Sequence, residues 1–121
     1  MNLTVIHDRL ATAILLFSTL AGVWALVSAL RRRGVDGNLW GILATGELLF
    51  LAQGVIGSLQ WLSGARPERS VHILYGIVTA LTLPAYYAFS RGRDDRRAAW
   101  AYAGLCLFVA VISLRAATTG G

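Results

Sequence analysis

The chain has no lysine, and its 121 residues include one cysteine, two prolines and six acidic residues. Each shortage excludes something. Only 14% of the residues are charged, whereas a soluble domain carries about a quarter, so too little polar surface is available to face water. A single cysteine, Cys106, can form no internal disulfide. The missing C-x-x-C pair argues against a thiol-redox membrane enzyme, and Cys106 reads as a small core residue. All eleven basic residues are arginine. They lie in short stretches between apolar runs, so the net charge of +5 speaks for membrane topology and against a nucleic-acid partner.

What is there is apolar. Hydrophobic residues make up 56% of the chain, and its mean hydropathy is +0.61. A membrane span takes ~20 apolar residues. Four such runs, at about 3–30, 39–62, 70–90 and 98–114, use most of the sequence. They imply one domain: an all-α, integral membrane, four-helix up-down bundle in a lipid bilayer. The first run is too long for the apolar core of a signal peptide and is followed by three arginines, so a retained span is expected. The last residues, ATTGG, read as a frayed tail.

The loops set an orientation. RRRGVDGN after the first span and RGRDDRR after the third together hold seven arginines. The second loop, SGARPER, holds Arg66 and Arg69, and Pro67 there suits a helix start. The positive-inside bias makes loops one and three cytoplasmic and puts both termini outside, as in a bacterial plasma membrane. Trp40 and Trp61, at the two ends of the second span, read as interfacial anchors. Pro84 should kink the third span.

The chain has two histidines, and both open spans that enter from the same side. His7 begins the first span and His72 the third, so the two lie at similar depth. In an up-down bundle those spans are diagonal, and two imidazoles could face each other across a flat ligand. Opposed histidines are the axial pair of a b-type haem. Ala11 and Gly76, each one turn further in, are small residues that leave room for a porphyrin. From His7 a stripe of mostly small residues follows at helical spacing: Ala11, Ile14, Ser18, Ala21, Ala25 and Ser28. Such a stripe marks close helix packing or the resting place of a flat group. For each histidine, a place in the polar headgroup zone is the plain alternative. A metal site of His7, Asp8, Glu68 and His72 is also conceivable, although no spacing demands it.

The stretch QGVIGSLQWLSGARPERSVHILYGIVTAL resembles one half of the haem A synthase family. Each half of those proteins has a helix ending Q-x-x-x-G, a short outer loop containing proline, and a helix opening on a haem-ligating histidine. Gln53, Gly57, Pro67 and His72 stand in those places. The preceding helix of the family opens with a His-Arg pair; here HDRLA matches at His7, with Arg9 displaced by one residue. The resemblance spans about residues 5–84 and implies haem b at His7 and His72. Two features of the family are missing: the second half, and the glutamate near the first histidine, where residues 2–6 read NLTVI. Methyl-group oxidation of haem is therefore not implied, and whether the chain is an enzyme stays open. In the haem reading Arg9, Arg66, Arg69 and Arg115 are candidates for the propionates. Gln53 would support the bundle or one propionate.

Glu47 is the other residue that calls for a role. It lies about eight residues into the second span, roughly 12 Å deep at 1.5 Å per residue. A carboxyl at that depth costs ~2.5–3.5 kcal/mol on insertion scales and is usually functional. Glu47 and Gln53 point about 120° apart on a helix, so Gln53 shares a face with Gly57 and Gln60 while Glu47 faces elsewhere. Three functions follow. The first is a bis-histidine haem protein in electron transfer or haem handling. The second is a small proton-coupled transporter using Glu47, recognisable by an aromatic-lined cleft around it. The third is a cofactor-free accessory subunit of a larger respiratory or photosynthetic complex. A single half could also pair with itself as a homodimer.

Overall fold

The computed structural model describes residues 3–64 and 71–119, and these form four helices joined in sequence. They are α1 (Leu3–Leu30), α2 (Gly37–Leu62), α3 (Val71–Phe89) and α4 (Arg96–Thr119). All four are long and apolar enough to cross a membrane, which makes the chain an all-α integral membrane bundle. The fourth helix differs from expectation. It runs on through Thr119, so 117–119 of the expected frayed tail continue the helix, and Ala116 lies in its last turn; 120–121 lie outside the described residues.

Helix boundaries follow local chemistry. The Asp36 side chain accepts a hydrogen bond from Leu39 N at 2.9 Å, and Asp95 accepts one from Ala98 N at 2.9 Å. These are N-caps, which supply acceptors for backbone donors that have no partner within the helix. Arg32 (φ 59°) and Arg91 (φ 56°) adopt the left-handed conformation that ends α1 and α3. The two arginine-rich loops then meet. Val35 N donates to the Asp94 carbonyl at 2.7 Å, and Arg96 Nε donates to the Ala29 carbonyl at 2.7 Å. Gly34 lies so close to Asp94 that a Cβ there would collide with its carbonyl oxygen.

Packing runs around a ring, α1 to α2 to α3 to α4 and back to α1, and α1 with α4 is the largest interface. Among the described residues the diagonal pairs α1/α3 and α2/α4 make no close backbone approach. The α1–α4 interface is built of small residues. Ser18, Ala21, Gly22, Ala25 and Ala29 of α1 are buried, as are Ala98, Ala99, Ala103 and Ala110 of α4. Gly22 packs against Leu107, where a Cβ would come within 2.8 Å of its side chain. The small-residue stripe is thus a helix-packing face, the route to association in lipid, where apolar burial alone supplies little drive. Cys106 is buried in the same core.

The outward faces carry large apolar residues such as Leu16, Leu48, Leu81 and Val111. The exposed hydroxyls of Thr19, Thr45 and Ser58 each donate to the carbonyl four residues earlier. Lipid offers them no other acceptor. The third helix is continuous through Pro84 and is the most exposed of the four, with Leu83 its buried residue. Trp61 is exposed at the end of α2, as an anchor would be. Trp40 is not. It turns inward and makes edge contacts with Tyr87 and Tyr102, at 5.6 and 5.5 Å between ring centroids.

Candidate paired-histidine site and intramembrane carboxyl

At the end of the bundle opposite the arginine-rich loops, the first turns of α1 and α3 meet the last turns of α2 and α4. His7 and His72 come together there across the α1/α3 diagonal. Their ring centroids are 6.0 Å apart with the planes tilted by 49°. The helices make no close backbone approach along that diagonal, so the two imidazoles bridge it. Two imidazoles on opposite sides of one metal ion stand roughly 6 Å apart between centroids, given ~2 Å per metal–nitrogen bond.

Each histidine has support. Gln53 Nε2 donates to the His7 carbonyl at 2.8 Å, and Gln60 Nε2 donates to Thr4 Oγ1 at 3.2 Å. Gly57 lies against the His7 ring, where an added Cβ would be 3.6 Å from Nε2. One face of α2 (Gln53, Gly57, Gln60) therefore fixes the first turns of α1. Gln53 acts here on the bundle: its amide donor is engaged by His7, and its Oε1 is buried without a hydrogen bond among the described residues. A buried acceptor of this kind calls for a donor, which a propionate oxygen is not.

His72 Nδ1 lies 2.9 Å from the carbonyl of Ala116 in α4. A carbonyl only accepts, so Nδ1 carries the proton, and in the neutral ring Nε2 holds the lone pair. Metal-ligating histidines are oriented by this kind of bond from the other ring nitrogen. The acceptor was hidden from sequence reading because Ala116 fell beyond the expected end of the fourth span.

Of the other candidates, Ala11 is half-buried, and Gly76 faces open space, with nothing within 4 Å of where a Cβ would stand. Arg9 and Asp8 are exposed. Arg66, Pro67, Glu68 and Arg69 lie outside the described residues. Among the described residues no three of His, Cys, Asp and Glu gather as a metal-ion site. The donor set is a facing pair of imidazoles, which suits a metal whose remaining ligands arrive with a macrocycle.

Glu47 sits apart from this site. It is ten residues from the start of α2, about 15 Å at 1.5 Å per residue, near the middle of a ~30 Å hydrocarbon layer. Both carboxyl oxygens are buried, and neither has a hydrogen-bond partner among the described residues. Glu47 lines a cavity of about 210 Å³ with Trp40, Leu43, Leu83, Pro84, Tyr87 and Tyr102. This is an aromatic-lined cleft, but two of its three aromatics come from α3 and α4. On the Glu47 face, the pattern of α2 alone offers Trp40 and Phe50.

Fold and site together define a class: an integral membrane four-helix bundle with a facing histidine pair near one surface and a lone carboxyl at mid-depth. Comparison of the chain with protein-family models, with curated proteins and with solved structures finds no match.

Proposed function

We propose that the protein is a membrane haem-binding protein in which His7 and His72 are the axial ligands of a b-type haem. The observation that carries this reading is the 6.0 Å approach of the two rings across a diagonal where the helix backbones stand apart. The His72 hydrogen bond to Ala116 adds to it, because it selects the tautomer whose Nε2 can ligate. The likeness of Gln53, Gly57 and His72 to one half of haem A synthase points the same way.

Haem held in this way supplies a one-electron carrier. The chain's own residues hold and orient. Gln53 fixes the backbone of His7, and Ala116 fixes the ring of His72. Gly76 keeps the wall beside His72 open. Arg9 offers a guanidinium group for a propionate. The role is electron transfer or haem handling, in the bilayer beside a larger respiratory or photosynthetic complex or as a homodimer. The histidine end faces outward, since the opposite end holds seven arginines.

The test is an absorption spectrum of purified protein, oxidised and then reduced with dithionite, after expression with added haem. Sharp reduced α and β bands are expected, and His7→Ala or His72→Ala should each remove them. A colourless wild-type protein would end this reading.

A further inference from the structure

We propose that the Glu47 cavity is a binding site for a lipophilic organic cation that enters from the membrane. The argument is independent of the haem site, which lies about ten residues, or roughly 15 Å, further along α2.

Three observations converge. Both oxygens of the Glu47 carboxyl are buried and lack a hydrogen-bond partner among the described residues. Among those residues no arginine or histidine lines the cavity, so no side chain of the wall supplies the missing positive charge. The rest of the lining is apolar or aromatic: Leu43, Leu83 and Pro84, with Trp40, Tyr87 and Tyr102 on three different helices. An isolated carboxylate at this depth is costly; a proton relieves that cost, and a group that takes the proton's place must bring a positive charge. That group must also be apolar enough to reach mid-membrane. Aromatic faces attract such a cation through the ring quadrupole, most strongly when water is absent, and tryptophan is the best of them. Trp40 is held for this by its edge contacts with Tyr87 and Tyr102. Carboxylate, π faces and apolar wall together select an alkyl- or aryl-substituted ammonium or phosphonium over a small hydrated cation.

The site's discriminating test is equilibrium dialysis of benzyltrimethylammonium, small enough for the cavity, against the purified protein in detergent. Saturable uptake of one cation per chain is expected. Glu47→Gln, which keeps shape and removes charge, should weaken binding about tenfold or more, the equivalent of one charge-assisted contact. Trp40→Ala should weaken it roughly fivefold, in the range of a cation–π contact. Glu47→Asp retains the charge and should bind measurably, which separates loss of charge from loss of fold; helical circular dichroism of each variant is the companion reading. Uptake that never saturates, or that is equal in wild type and Glu47→Gln, would overturn the proposal. So would saturable binding of a neutral short-chain quinone with no binding of the cation. The double variant His7→Ala/His72→Ala should bind the cation as wild type does, so the two sites fail or succeed separately.

Discussion

Contacts on two sides pull on the His72 ring: Nδ1 donates to the Ala116 carbonyl, and the ring faces His7 at 6.0 Å. The first contact alone is a helix cap, since Ala116 lies in the last turn of α4, where side chains cap helix carbonyls. A cap and a ligand respond differently to substitution. His72→Gln can still donate to Ala116, so it should keep the thermal stability of the wild type within about 1 kcal/mol, yet lose the reduced haem bands. If His72 were only a cap, His72→Gln and wild type would have the same spectrum. Gln53 offers a complementary case. Its hydrogen bond to the His7 carbonyl crosses from α2 to α1, and Gln53→Leu should lower stability by about 1 kcal/mol. Some haem should remain bound, because the ligand itself is intact. Melting followed by circular dichroism in detergent measures the first effect and the haem-to-protein ratio the second.

At the scale of elements, apolar length and capping chemistry made the four helices legible. Runs of about 20 apolar residues can hardly be anything else in a chain with so few charges, and Asp36 and Asp95 mark two helix starts with side-chain acceptors. The pairing of His7 with His72 was also legible, because two spans entering from one side at equal depth must bring their first turns level. The end of α4 was not. AATT following an arginine has no apolar pattern to extend a span, and the hydrogen bond between the Ala116 carbonyl and His72 of α3 leaves no local trace in the sequence. The Glu47 cleft was hidden for a related reason: periodicity reports which residues share a face of one helix, and here the aromatics converge from three. Loop contacts were hidden as well, since no local pattern reveals that Gly34 abuts Asp94. That contact is testable. Gly34→Ala forces the two arginine-rich loops apart and should cost about 1–3 kcal/mol, as overpacking does. Gly37→Ala, at a position with open space, is the matched control and should leave the melting temperature near that of wild type.

For the molecule as a whole, the sidedness of the bundle decides what its sites can meet. The ring order of the helices and the docking of loop 31–36 onto loop 90–95 place one cluster of arginines at a single end. Arginine-rich short loops resist translocation, so that end should stay cytoplasmic and the histidine pair should open outward. Cys106 is buried, and Cys106→Ala gives a cysteine-free background of similar core volume. In that background Ser63→Cys reports the histidine end and Asp94→Cys the arginine end, both at exposed positions. A membrane-impermeant maleimide added to intact cells should label Ser63→Cys and spare Asp94→Cys until the membrane is opened. The reverse pattern would turn the histidine pair toward the cytoplasm, and its electron partner would then have to be sought on that side. Labelling of both positions in intact cells would mean that the chain inserts in two orientations. The seven-to-four split of arginines between the two ends would then be too small a bias to fix the fold's direction, and antiparallel pairing of two copies would become the arrangement to test.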